Sequence, residues 1–262
     1  MLGKNRLREL QLLHQKKHRE EQDLFLAEGA KIVPELLRSD FPVKEVFALE
    51  SWLDKNRALL HQTDSVATSI TQQDLERLSQ LQTPQEVIAL CGKPLEKAPH
   101  WQSGSLVLLM DSIRDPGNMG TLLRLADWFG VEAVYASNDS VEWTNPKVIQ
   151  ATMGSFIRIR PVYVDAEQLL RESNKTFPVY AADLEGENLY SGDFPAEGML
   201  IISNEAHGLS PELENLLTRK LHIPAFPRNG KQPESLNAAM AGAIVLGEFS
   251  RRRMLGIQPE NG

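Results

Sequence analysis

Residues 106–130 read LVLLMDSIRDPGNMGTLLRLADWFG, an apolar run, a polar elbow and an amphipathic stretch with no gap between them. A continuous apolar run of this length is expected of a strand covered on both faces. Asp111, Asp115, Pro116, Gly117 and Asn118 supply turn and capping chemistry. In the helix that follows, Leu122, Leu125, Ala126 and Phe129 share one face, and Arg124 falls opposite them. Its side chain leans back toward the helix start that carries Asn118. A polar pair at a helix start is thus left over after the packing requirements are met.

The 262 residues are 42% hydrophobic and 24% charged, enough to bury one large core or two modest ones. No window approaches the roughly 20 apolar residues of a membrane span, and the charged start MLGKNRLRELQLLHQKKHREEQ is no secretory signal. A cytoplasmic protein with no membrane association is the expectation. The single cysteine, Cys91, leaves no internal disulfide or Cys-based zinc cluster and reads as a small core residue. The net charge is −7, yet cations bunch at both ends. Lys4, Arg6, Arg8, Lys16, Lys17 and Arg19 crowd the first segment, and Arg228, Lys231 and Arg251 to Arg253 the last. Such runs suit solvated helix ends as well as a nucleic-acid backbone.

Residues from about Lys4 to Gln22 read as one helix with Leu7, Leu10 and Leu13 on its apolar side. A short extended entry at Glu28 and Gly29, a helix, and strand candidates at VKEVFALE, 64–69 and 86–91 follow, with a short helix at 71–78. This α+β unit, residues 1–95, ends in a linker at about 92–104. Beyond it, residues 104–262 alternate strand and helix, the pattern of a parallel sheet. Strands are expected at 106–110, 133–136, 157–164, 179–182, 199–202 and 221–223. Helices should begin near Met119, Asn145, Ala166 and Pro211, with a last one from Ser235 to about Arg253.

Three loops carry polar residues at the C-terminal ends of these strands, where open α/β sheets bind ligands. They are DSIRDPGNMG, SNEAHGLS (203–210) and IPAFPRNGKQPESLNAAM (223–240). No GxGxxG follows a strand, and GxxxxGK[ST] and HExxH are absent, so dinucleotide, P-loop and zincin chemistry lack their motifs. No metal site is expected from the six histidines. His207, in the second loop, reads as solvent-facing.

Taken together, the three loops resemble those of the SpoU (TrmH-type) branch of the SPOUT superfamily, RNA ribose 2′-O-methyltransferases. Asp115, Pro116, Asn118, Gly120 and Arg124 match DPxNxGxxxR; Asn204, Glu205, Gly208 and Leu209 match the Glu-Gly loop; Ile223, Pro224, Ser235, Leu236 and Asn237 match the IP…SLN signature. The 1–95 unit is similar to the ribosomal-protein-like domain that precedes many such enzymes and binds their RNA substrate. The resemblance implies an α/β protein whose parallel-sheet C-terminal domain holds a deep trefoil knot, preceded by that smaller α+β domain. It also implies a homodimer, S-adenosyl-L-methionine as cofactor, and RNA as partner, with ribosomal RNA favoured over transfer RNA.

By the same resemblance Arg124 belongs to the catalytic centre, with Asn118, Glu205, Ser235 and Asn237 around it. Ser203, Asn204, Gly208, Ile223, Pro224 and Leu236 would cradle the cofactor. Lys4, Arg6, Lys16, Lys17, Arg19, Arg228 and Lys231 would contact RNA. Each residue also has a plainer reading. Arg124 could pair with Asp127 at i,i+3, Asn118 and Ser235 could be helix caps, and Glu205 a loop acid. Two features depart from the family pattern: Ser203 stands where Gly is usual, and Phe226–Pro233 lengthens the third loop. A non-catalytic RNA-binding or ribosome-assembly protein on the same scaffold is the alternative.

Overall fold

A computed structural model describes residues 2–95, 101–173, 177–204, 208–227 and 235–256. In the N-terminal part, the helices are α1 (Lys4–Leu12), α2 (Lys16–Gln22), α3 (Ile32–Leu37), α4 (Glu50–Lys55), α5 (Arg57–Leu60) and α6 (Gln72–Leu78). The strands are β1 (Leu24–Glu28), β2 (Val43–Ala48), β3 (Val66–Ser69) and β4 (Val87–Gly92). They form a sheet in the order β1-β4-β2-β3, antiparallel except for β2 and β3. Leu7, Leu10 and Leu13 pack with Phe47, Leu75 and Ile88 over one face. Thr71 and Asp74 close a reciprocal capping box at the start of α6. Cys91 is buried, and burial pushes its thiol far up.

The helix expected over Lys4–Gln22 is two helices. Arg19 is only 2% exposed, and its guanidinium donates to the Leu13 carbonyl at 2.8 Å. The chain bends at 13–15 so that this cation can satisfy a carbonyl at the end of α1. Arg19 therefore serves packing and has no surface to offer RNA.

From residue 101 onward come β5 (Leu106–Asp111), α7 (Pro116–Trp128), β6 (Ala133–Ser137), α8 (Pro146–Ala151), β7 (Val162–Val164) and α9 (Ala166–Ser173). After them come β8 (Val179–Asn188), β9 (Gly198–Ser203), α10 (Pro211–Glu214), β10 (Arg219–His222) and α11 (Ala238–Leu255). Six parallel strands stand in the order β10-β8-β9-β5-β6-β7. The strand read from 106–110 is central and fully buried, as an apolar run without alternation requires. On one face Val107, Leu109, Ala181 and Ile201 meet Leu170, Leu209 and Leu213.

The chain forms two compact units, Met1–Glu96 with Thr144–Ile157, and Lys97–Trp143 with Arg158–Gly262. The strand expected at 157–164 is shortened to Val162–Val164 for this reason. Phe156 belongs to the first unit, edge-on to Phe25 and Phe41 at 6.1 and 5.5 Å. Met153 and Gly154 take positive φ to turn the chain there, and Pro161 cannot donate to a ladder.

Two close approaches shape the second unit. A Cβ on Gly242 of α11 would lie 2.5 Å from Leu122 Cδ2 of α7, a side chain that is itself fully buried. On β8, the strand expected to stop at Ala182 runs on to Asn188 through a break in register. Lys220 pairs with Ala181 but Leu221 pairs with Glu187, which leaves 182–186 bulged. A Cβ on Gly186 would sit 2.5 Å from the Lys220 carbonyl oxygen, so the bulge returns against backbone. At the end of α11, Arg252 lies over the Phe194 ring at 4.0 Å, is ion-paired with Glu248, and donates to the Leu189 carbonyl. It anchors the helix rather than merely complementing its dipole. Gly242→Val should lower stability by about 1–3 kcal/mol, because the added methyls have no room. Urea unfolding reads this as a lower midpoint; an unchanged midpoint would mean that the two helices have slack.

Candidate active site

Local sequence places the first polar group. Asp115 accepts the Asn118 N–H at 2.8 Å, and Pro116 takes the first helical position, so α7 is capped by Asp115. The Asn118 side chain is thereby released from capping. Its Oδ1 accepts from Asn237 Nδ2 at 2.8 Å. Asn237 Oδ1 in turn accepts the N–H groups of Ala239 and Met240 at 3.0 and 3.2 Å. Asn237, and not Ser235, caps α11, which is why that helix starts at Ala238. One side chain closes its own helix and joins it to the start of another.

Arg124 is exposed and makes no ion pair or hydrogen bond among the described residues. Asp127 does not engage it, because Asp127 holds Arg158 through contacts of 3.0 and 2.6 Å. Arg124 stands six residues beyond Asn118, about 120° around the helix, and does not touch it. The convergence of amide and guanidinium expected from sequence is thus not a direct contact.

The elbow before α7 is held from three sides. Ser112 takes φ +53°. Its N–H donates to Ser137 Oγ at 2.7 Å, and its hydroxyl donates to Asp139 at 2.9 Å. Asn204 reaches it from the second loop, donating Nδ2 to the Ser112 carbonyl at 3.1 Å, while the Asn204 N–H donates to the Asp111 carbonyl at 3.1 Å. Burial, assisted by the charge of Asp139, pushes the Asp111 carboxyl above its ordinary range.

Beside these groups the ends of β8, β9 and β10 and the start of α11 line an open cavity of about 590 Å³. That volume falls within the roughly 300–1,000 Å³ of small-molecule sites. Ser203, Asn204, Gly208, Ile223, Pro224 and Leu236, named from the second and third loops, all line it, and so does Ser235. Leu236 and Ala238, which line it, flank Asn237 in sequence, so the cavity adjoins the Asn118–Asn237 pair. Its walls are otherwise mainly apolar, with Ile202, Leu209 and Ile244 among them.

Sequence reasoning missed the β8 contribution. Asp183, Leu184 and Tyr190 also line the cavity. The polar stretch DLEGEN has neither strand alternation nor a motif to mark it, and only the bulge brings it to the strand ends. Glu205, His207, Arg228 and Lys231 lie outside the described residues, as does most of Phe226–Pro233. At the other end of the chain, Lys4 is exposed, whereas Arg6 pairs with Glu45 at 2.7 Å, Lys16 with Glu20 at 3.6 Å and Lys17 with Glu21 at 3.8 Å. Among the described residues no group of His, Cys, Asp or Glu could hold a metal ion, and no helix is long and apolar enough to cross a membrane.

Known proteins share this arrangement. The SpoU rRNA Methylase family profile matches residues 105–247, and the MRM3-like substrate binding domain profile matches residues 4–89. The chain is 32% identical over 242 residues to the 23S rRNA (guanosine(2553)-2′-O)-methyltransferase RlmP of Bacillus subtilis, covering 89% of this chain and 91% of that protein. A solved structure assigned to the TrmH family of RNA methyltransferases, from Porphyromonas gingivalis, superposes with a TM-score of 0.84 at 34% identity, covering 96% and 99% of the two chains. The AdoMet-bound rRNA methyltransferase of Sinorhizobium meliloti gives 0.83 at 27% identity, covering 97% of each.

Asn237→Ala should cost about 1 kcal/mol through the lost cap, whereas Asn237→Asp keeps the acceptor and loses only the donor to Asn118. Denaturant unfolding of both variants checks this. Equal destabilisation by the two would mean that the link to Asn118, and not the cap, carries the energy.

Proposed function

The chain belongs to the SpoU rRNA methylase family, and from that premise we propose how its residues divide the work of methylating a ribose. The protein is an RNA methyltransferase that uses S-adenosyl-L-methionine and modifies a ribose 2′-hydroxyl. Ribosomal RNA is the substrate we assign to it, on the strength of the relatives' substrates and the MRM3-like domain. The observation that carries the site assignment is the meeting of the second and third loops around one cavity of fitting size, with the first loop joined to them through the Asn118–Asn237 and Ser112–Asn204 hydrogen bonds.

The cavity fits the cofactor in chemistry as well as volume. Apolar walls from Ile202, Leu209, Ile223 and Leu236 suit adenine and the thioether chain, and strand ends offer main-chain polar groups to the ribose and the amino acid. Ser203, Asn204, Gly208, Ile223, Pro224 and Leu236 hold it in this reading. When bound, S-adenosyl-L-methionine supplies an electrophilic methyl group. The Ser203 hydroxyl replaces the usual glycine hydrogen and narrows the wall there.

Arg124 works on the substrate side. Arg124 acts as a fixed cation that holds the RNA phosphate and orients the neighbouring 2′-hydroxyl. Among the described residues it makes no ion pair that a phosphate would have to displace. Asn118 and Asn237 present a rigid amide pair beside the cavity, and Glu205 and Ser235 complete the surroundings of the hydroxyl. Lys4, Arg6, Lys16 and Lys17 of the N-terminal domain, residues 1–95, together with Arg228 and Lys231, guide the RNA backbone to the catalytic domain, residues 104–262. Arg6, Lys16 and Lys17 exchange carboxylates for phosphates to do so.

The functional form in this reading is a homodimer of knotted catalytic domains in the cytoplasm. Trp128 on α7 and Met240 and Met254 on α11 are 80, 57 and 78% exposed, and large apolar side chains left open on two adjacent helices favour a second copy as cover. Methyl transfer from tritiated S-adenosyl-L-methionine to ribosomal RNA tests the scheme. Arg124→Ala should reduce incorporation by about a hundredfold or more, as loss of a preorganised charge does, while calorimetry finds cofactor affinity nearly unchanged. Retained full activity would remove Arg124 from the centre.

A further inference from the structure

Among the described lining residues of the cavity only Asp183 carries a carboxylate, and none is a lysine, arginine or histidine. Asp183 stands in the five-residue bulge between the two registers of β8 and β10, so its position follows from the irregularity and not from the strand. Its Oδ1 accepts the Glu185 N–H at 2.9 Å, and its Oδ2 lies 3.0 Å from Lys220 Nζ. Burial pushes its carboxyl up, but the Glu185 N–H and the Lys220 ammonium outweigh that and hold it below the usual carboxylate range.

Lys220 offsets this charge only in part. Its ammonium is shared with Glu214 at 3.2 Å, and neither Lys220 nor Glu214 lines the cavity. Two carboxylates and one ammonium leave the group with one net negative charge, and the member facing the cavity is Asp183. The described walls beside it are mainly apolar, which lengthens the reach of that charge on the protein side.

Resting on the cofactor assignment above, we propose that Asp183 is the residue by which the site distinguishes its methyl donor from the spent product. S-adenosyl-L-methionine carries a sulfonium, an ammonium and a carboxylate. When the methyl leaves, the electron pair of the broken S–C bond stays on sulfur, and S-adenosylhomocysteine has one positive charge fewer. The two molecules otherwise share nearly the same shape, so apolar contacts cannot separate them. An anion among otherwise uncharged described lining residues favours the cationic donor and releases the product.

Calorimetry of the full chain with S-adenosyl-L-methionine, S-adenosylhomocysteine and sinefungin, in which a protonated amine replaces the sulfonium, tests this. Asp183→Asn keeps the size and one acceptor and removes the charge. It should weaken the donor and sinefungin by about tenfold, the scale of one partly screened charge, while the product changes less than about threefold. Lys220→Met leaves Asp183 unbalanced and should shift the preference the other way, toward the cations. Equal weakening of all three ligands by Asp183→Asn, or an unchanged preference in both variants, would overturn the inference and leave Asp183 as an anchor of the bulge. Failure of the unaltered protein to bind any of the three would instead overturn the cofactor assignment itself.

Discussion

The approach of α11 to α7 sets everything else at the site. Gly242 leaves Leu122 no spare volume, and Ala239 and Ala241 keep the same helix slim near its start. Interiors are packed as densely as organic crystals, so a contact this close leaves little freedom in the relative position of the two helix starts. Asn118 and Asn237 exploit that rigidity. Their amides meet at 2.8 Å because the helices beneath them cannot slide.

Polar economy around the strand ends follows the same logic. Asp115 caps α7 so that the Asn118 amide is free to reach Asn237, and Asn237 caps α11 with one atom while holding Asn118 with the other. Asn204 spends its main-chain and side-chain donors on the Ser112 elbow, tying the second loop to the first. The network leaves two features open toward ligands: an exposed guanidinium at Arg124 and a mostly apolar cavity that adjoins the asparagine pair. In the proposed reading the guanidinium faces the RNA and the cavity takes the cofactor, which puts a positive charge beside the phosphate-flanked hydroxyl.

Much of this was legible in the chain. The run 106–110 announced a central strand because both of its faces are covered, and the three motif loops stood at strand ends where ligands bind. Met119, Leu122, Leu123 and Ala126 form the buried stripe of α7, with Leu125 and Phe129 only half-buried. What stayed hidden depended on contacts distant in sequence. Arg19 looks like one more exposed cation until the bend at 13–15 turns it inward. Ile157 ends a segment that packs Phe156 with Phe25, a partner 131 positions away, and so leaves the strand pattern. Asp183 reaches the cavity only because β10 skips five residues of β8, which no local propensity encodes.

The identity of the methylated atom tests the account most directly. Ribosomal RNA incubated with the purified protein and S-adenosyl-L-methionine bearing a deuterated methyl group, then digested to nucleosides and read by mass spectrometry, should carry the label as a 2′-O-methyl on one ribose. Label on a base, or none on any nucleoside despite cofactor binding, would contradict it.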